Sequence, residues 1–155
     1  MVNTQAFTLP LRILQAVFGV IELGLTAYIV SRYYGNWSPS QVDFLLFCSI
    51  WTLLILIYLV LAPIRFPRFA HKYAILGVEF VTMIFWFAGF IAFAVLLNDW
   101  GCDSRWSYCK SSQAAAVFGA FEWLLFLVST VFSAMHCWST RGSYSKNNPN
   151  VEMQV

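Results

Sequence analysis

A chain of 155 residues with 60% apolar and 10% charged side chains, and a mean hydropathy of +0.69, is unlike a water-soluble domain, where about 25% of residues are charged. The net charge of +2 is small and scattered, which gives no footing for nucleic-acid binding. Four long apolar runs leave only short tails and connections for water, so the predicted fold is all-α, a four-helix transmembrane bundle with no soluble domain beside it.

A bilayer core of about 30 Å takes roughly 20 helical residues at about 1.5 Å each. Residues 1–10 read as a short N-terminal tail, and the first span covers 11–30. It carries Glu22 and leads into Tyr33-Tyr34 without a small-residue cleavage pattern, so it reads as a span and not as a cleaved signal peptide. Gln15, Gly19, Glu22 and Thr26 recur at steps of four and three, which puts them on one helix face.

The second span, 42–62, opens after Ser38-Pro39-Ser40. Ser40 and Asp43 have capping-box spacing, Asp43 complements the helix dipole, and Pro63 and Pro67 punctuate the end. Cys48, deep in this span, reads as packing. The connection that follows is basic, with Arg65, Arg68 and Lys72, and His71 beside Lys72 is expected among lipid headgroups.

The third span, 73–97, aligns Glu79, Thr82, Trp86 and Gly89 on one face. The fourth, 113–138, aligns Ala115, Gly119, Glu122, Ser129, Ser133 and His136. The last segment, 139–155, is polar, contains Asn147-Asn148-Pro149, and is expected to be a mobile tail. Its final Met-Gln-Val has the apolar-x-apolar form read by PDZ-like grooves or export machinery.

Four spans place the N-terminus, the basic connection and the C-terminal tail on one side. That side holds Arg12, Arg65, Arg68, Lys72, Arg141 and Lys146, against Arg32, Arg105 and Lys110 on the other. The positive bias predicts that both termini are cytosolic. Cys102 and Cys109 then fall on the oxidising side, where a bridge between them would close a loop of about eight residues and stabilise by roughly 2 to 3 kcal/mol. Two free thiols or a metal site are the alternatives, although the loop has no histidine and the pair is not CxxC. The sequon Asn36-Trp37-Ser38 lies on the same predicted side, but Pro39 and the nearby membrane argue against its use.

Glu22, Glu79 and Glu122 are intramembrane carboxyls, which are expensive in lipid and therefore informative. With no Lys or Arg in the middle of a span to pair with them, they are expected as neutral, hydrogen-bonding acids facing inward with the small and hydroxyl-bearing residues around them. Counted from the termini side at about 1.5 Å per residue, Glu22 lies roughly 17 Å deep, Glu122 roughly 22 Å and Glu79 about 9 Å. Glu22 and Glu122 are candidates to meet, while Glu79 needs other partners. Bundle packing, contact with a lipid or other ligand, and ion or proton translocation all remain open as roles.

Tyr33, Tyr34, Trp37, Trp100, Trp106, Tyr108 and Trp138 cluster near predicted interfaces, as an aromatic belt does. His136 reads as a satisfied interfacial residue. Cys137, beside Trp138 and ahead of Arg141, is either an acylation candidate or an ordinary buried thiol.

The set of Asp43 with Trp51, Glu79-Phe80 followed by Trp86-Phe87-Ala88-Gly89, and Cys102 and Cys109 followed by Gln113-Ala114-Ala115-Ala116 and Phe121 resembles fungal MARVEL-domain tetraspan membrane proteins over about four-fifths of the chain. Claudins and tetraspanins carry a longer, cysteine-patterned outer loop. The resemblance implies a non-enzymatic protein that organises membrane domains, or vesicle and plasma-membrane compartments. Its implied partners are membrane lipids, with sterol or sphingolipid as candidates, other membrane proteins, and further copies of itself as a homo-oligomer. It implies no cofactor and no catalytic residue. Plasma membrane and secretory or endocytic vesicles are the expected locations.

The competing reading is a small oligomeric channel, transporter or proton-linked carrier built on the intramembrane glutamates. No repeat or broken-helix signal marks a substrate site for it. An intramembrane enzyme finds no HExxH, Gly-rich phosphate loop or activated nucleophile in this sequence.

Overall fold

The computed structural model describes residues 4–33, 38–65, 72–101 and 107–146, with the side chains of 8–33, 38–61, 73–101 and 109–139. These form four helices, α1 (Thr4–Arg32), α2 (Ser40–Arg65), α3 (Lys72–Asp99) and α4 (Ser107–Lys146). In lipid every backbone N–H and C=O must be satisfied within its own segment, and an unbroken helix does this. Within the helices the stretches Thr8–Arg32, Ser40–Leu61, Tyr73–Asp99 and Cys109–Ser139 are long and apolar enough to cross a bilayer. The chain is an integral, multi-pass membrane protein.

The helices outrun the predicted spans because apolarity ends at the interface while helical hydrogen bonding continues into polar residues. α1 therefore starts ahead of Pro10, and α2 continues past Pro63. The start of α2 also differs from the expected capping box. Ser38, not Ser40, reaches Asp43, its hydroxyl donating to both carboxylate oxygens at 2.7 and 2.8 Å, while Pro39 O accepts from Val42 N at 3.0 Å. Ser40 instead contacts Gln41 Oε1 at 3.3 Å. At the far end of α3, Trp100 N donates to Leu96 O and Gly101 N to Asn98 O. Gly101 then turns the chain at φ 56°, a left-handed conformation that glycine adopts without strain.

The helices stand in a ring, with α1 against α2 and α4, and α3 against α2 and α4. Each presents one face inward at helical spacing. On α1 this face carries Gln15, Gly19, Glu22, Thr26 and Ile29; on α3 it carries Glu79, Thr82, Trp86, Gly89 and Phe93. α2 contributes Val42, Leu45, Cys48, Ser49, Thr52, Leu56 and Leu59. On α4 the inward face runs through Ala115, Gly119, Glu122, Phe126 and Ser129, but His136 is exposed and Cys137 is the buried residue at that level.

The outward faces are aliphatic and aromatic along the bundle, including Val17, Val20, Leu54, Ile57, Phe80, Phe87, Val95 and Val128. Such a surface suits hydrocarbon. Ile29, Val42, Leu45, Phe93 and Ala115 form an apolar core in the half away from the termini, while the three buried carboxyls lie from mid-depth toward the termini, with Phe126 of α4 between the levels of Glu122 and Ser129.

Close approach of α3 and α4 depends on Gly119. A Cβ there would stand 3.3 Å from Phe90 Cβ and 3.6 Å from Trp86 Cζ3. Phe90 Cβ is fixed to its own helix and has little freedom to yield. Gly119→Val is expected to destabilise the bundle by about 1 to 3 kcal/mol through overpacking, measured by denaturant titration in micelles. Gly89→Ala should cost less, since its new methyl would press on the flexible end of Leu45, 3.0 Å away.

Candidate functional site

The polar interior forms two layers. The one nearer the termini centres on Glu79 of α3, which is fully buried. Its Oε1 accepts from Arg12 Nη2 of α1, forming an ion pair, and from Ser129 Oγ of α4 at 2.7 Å. Its Oε2 accepts from Ser133 Oγ, one turn further along α4. Arg12 Nη1 also donates to Gln15 Oε1 at 3.1 Å. One carboxylate therefore ties three helices together through three partners.

This pairing differs from the expectation that the carboxyls have no cationic partner. Arg12 starts near the end of its span, where it counts toward the loop charge. Its long side chain bends inward along α1 instead of reaching for headgroups, and only 13% of it is exposed. Helix position alone does not reveal that choice, because a snorkelling arginine and a buried one share the same backbone site.

The second layer lies about two turns deeper and holds Glu22 of α1 and Glu122 of α4, both fully buried. The two carboxyls are close enough to interact electrostatically, and Glu22 interacts in the same way with Cys48 of α2. Gly19 of α1 faces this layer, since a Cβ there would stand 3.5 Å from Glu122 Oε1 and 3.5 Å from Thr52 Cγ2. Thr52 Oγ1 accepts from Trp86 Nε1 at 2.9 Å, which joins α2 to α3 at this level. A parallel bond runs from Trp51 Nε1 to Thr82 Oγ1 at 3.1 Å, and Thr82 donates to its own helix at Val78 O. Thr26 donates to Glu22 O at 2.7 Å within α1. In contrast with Glu79, all four carboxyl oxygens of Glu22 and Glu122 lack a hydrogen-bond partner, as does Gln15 Nε2.

The structure thus brings Gln15 and Glu79 together, brings Glu22 beside Glu122, and assigns Thr82 to a tryptophan on α2. Thr52 and Ser49 were not anticipated. Their signal was present in the three- and four-residue spacing of Val42, Leu45, Ser49, Thr52, Leu56 and Leu59, but a span so uniformly apolar shows little contrast between its faces.

Of the remaining expected site residues, Arg68, Cys102 and the sequon's Asn36 lie outside the described residues, and Arg65 and Lys72 outside the described side chains. Cys109 is buried at the start of its span. Cys48 and Cys137 are both buried, and neither is in a disulfide. At the end away from the termini, Tyr33 and Trp100 pair their rings at 6.3 Å. At the opposite end Trp138 is 81% exposed, as an interfacial anchor requires.

Four apolar helices around a polar interior describe many membrane proteins, and the residue pattern narrows them. The family model for MARVEL, described as a membrane-associating domain, matches residues 5–132. The chain belongs to the MARVEL family. That match takes in all of both polar layers except Ser133. This MARVEL domain is also similar to a Saccharomyces cerevisiae protein, "Uncharacterized membrane protein YDL218W", at 25% identity over 147 residues. The similarity covers 83% of this chain and 46% of the yeast protein, so the chain spans about half the length of the curated relative it matches. No solved structure matches the MARVEL chain.

Proposed function

We propose that this MARVEL protein is a non-enzymatic organiser of membrane domains, acting through lateral association with lipids and other membrane proteins in the plasma membrane or in secretory and endocytic vesicles. The observation that supports this most is the division of the bundle: between the helix ends, the carboxyl, amide and hydroxyl groups are drawn inside and the outward faces are aliphatic and aromatic, open to lipid or neighbouring spans. A surface of that kind can sort among bilayers and partners by shape and thickness, without a catalytic group. Both termini are proposed to face the cytosol, with a Cys102–Cys109 bridge on the opposite side.

Localisation and proximity labelling of a tagged chain in its native cell, beside a Cys102→Ser variant, test this reading. The expected result is a patchy distribution with a reproducible set of membrane-protein neighbours, weakened when the bridge is lost. A chain that stays monomeric on crosslinking and spreads uniformly in native membranes would contradict it.

A second reading, a proton-linked carrier or small oligomeric channel, is motivated by the unpartnered carboxyls of Glu22 and Glu122. It requires ion or solute flux in proteoliposomes that disappears in Glu122→Gln.

A further inference from the structure

Hydrogen-bond capacity sets the terms for the deeper layer. An ionised carboxylate only accepts, so two of them side by side have nothing to offer each other; a protonated carboxyl gains one O–H donor. Glu22 and Glu122 are fully buried, Glu122 Oε1 lies 3.5 Å from where a Cβ on Gly19, one turn before Glu22, would stand, and their four carboxyl oxygens meet no donor among the described residues. Of the polar groups nearby, Thr26 donates to Glu22 O, Ser49 to Leu45 O, and the Trp86 indole N–H to Thr52 Oγ1. Among the described residues no cation faces the pair. Arg12, the guanidinium nearest on α1, is held by Glu79 and Gln15. The other titratable group facing the pair is Cys48 from α2, while α3 brings Trp86 to this level and its Glu79 is already ion-paired. A bare pair of negative charges here would be strongly disfavoured by burial and by mutual repulsion.

We propose that Glu22 and Glu122 form one intramembrane proton-binding site, in which a carboxyl O–H of one acid donates to an oxygen of the other, directly or through a single buried water. The ligand is the proton. It is what closes the α1–α4 joint at this depth, and its removal would leave two negative charges facing each other beside Gly19. Gln15, one turn before Gly19 and two turns before Glu22 on the same face of α1, also keeps an unpartnered Nε2. The site stands whether or not the protein carries flux, and it does not depend on the proposed role in organising membrane domains.

Infrared spectroscopy of the full-length chain in lipid nanodiscs at neutral pH reads the site through the C=O stretch of protonated carboxyls. The expected result is such a band in the native chain, reduced in Glu22→Gln and in Glu122→Gln, lost in the double variant, and retained in Glu79→Gln. Absence of the band from the folded native chain, or its survival in a folded double variant, would overturn the proposal. A band that emerges only when sodium and potassium are removed would overturn it in favour of a monovalent cation site.

Should the variants misfold, the native chain can be treated with a hydrophobic carbodiimide. A protonated carboxyl gives its proton to the carbodiimide nitrogen while its oxygen bonds the central carbon. Peptide mass spectrometry should place the adduct on Glu22 or Glu122. Labelling confined to Glu79 would overturn the proposal.

Discussion

Glu79→Ala is expected to be among the most damaging single substitutions in this bundle, costing about 3 to 5 kcal/mol, because it removes the acceptor for Arg12, Ser129 and Ser133 at once. The loss is measured as a shift in the unfolding midpoint in mixed micelles. Arg12→Ala should cost less: Glu79 then keeps two hydroxyl donors from α4 and can take up a proton to shed its charge. Replacing both partners with methionine should recover much of the loss, since an apolar pair of similar volume avoids the desolvation of two charges. A double variant as unstable as the sum of the singles would show that the two side chains act independently. The ion pair is thus a device for fixing how α1 sits against α3, two helices on opposite corners of the ring.

Trp86→Ala should be comparably severe, at about 3 to 5 kcal/mol, for a different reason. The side chain is fully buried, its ring lies against the backbone gap left by Gly119, and its N–H holds Thr52 of α2. Truncation opens a cavity where three helices meet and strips Thr52 of its donor. Trp86→Phe keeps most of the ring, loses the hydrogen bond, and is expected to cost about 1 to 2 kcal/mol. A Cβ at Gly119 would be tight against Phe90 Cβ at 3.3 Å but in ordinary contact with the Trp86 ring at 3.6 Å, so Gly119→Ala should cost about as much in the Trp86→Phe background as in the native one, and a markedly smaller cost there would place the clash at the ring instead.

Much of this architecture was legible in the sequence. The number of spans follows from charge-free length, and the inward faces of α1 and α3 follow from polar residues recurring at three and four. Glu22 and Glu122 also fall at similar depths by simple counting from the helix ends. What escaped has identifiable causes. Arg12 stands where an interfacial arginine ordinarily points outward, and only the position of Glu79 on a different helix turns it inward. Ser38 and Ser40 bracket the same turn with the same chemistry, so the choice of partner for Asp43 rests on how the chain enters α2. His136 and Cys137 are neighbours, and a shift of one residue on a helix is enough to exchange an inward position for an outward one. α2 hid its polar residues, Ser49 and Thr52, inside a run so apolar that its faces hardly differ.

The two polar layers have different physical characters. Around Glu79 the carboxylate is saturated with donors, and such a cluster rigidifies the end of the bundle nearer the termini. Around Glu22 and Glu122 the donors are missing, so that layer is sensitive to whatever supplies them. In the proposed arrangement one end of the bundle is locked through Glu79, while α1 against α4 at mid-depth is held by a bound proton. The lipid-facing contour would then respond to the state of the interior.

The central claim is that this chain turns its polar residues inward and meets the bilayer with an apolar flank. Spin labels placed singly along α1, with accessibility to oxygen and to a water-soluble nickel complex measured in nanodiscs, test it most directly. Labels at Ile13, Val17 and Val20 should show high oxygen and low nickel accessibility, and labels at Gln15, Gly19 and Glu22 should be shielded from both, with helical periodicity between the two sets. Strong nickel accessibility at Gln15, Gly19 and Glu22 would mean a water-filled interior, and would contradict the closed bundle described here.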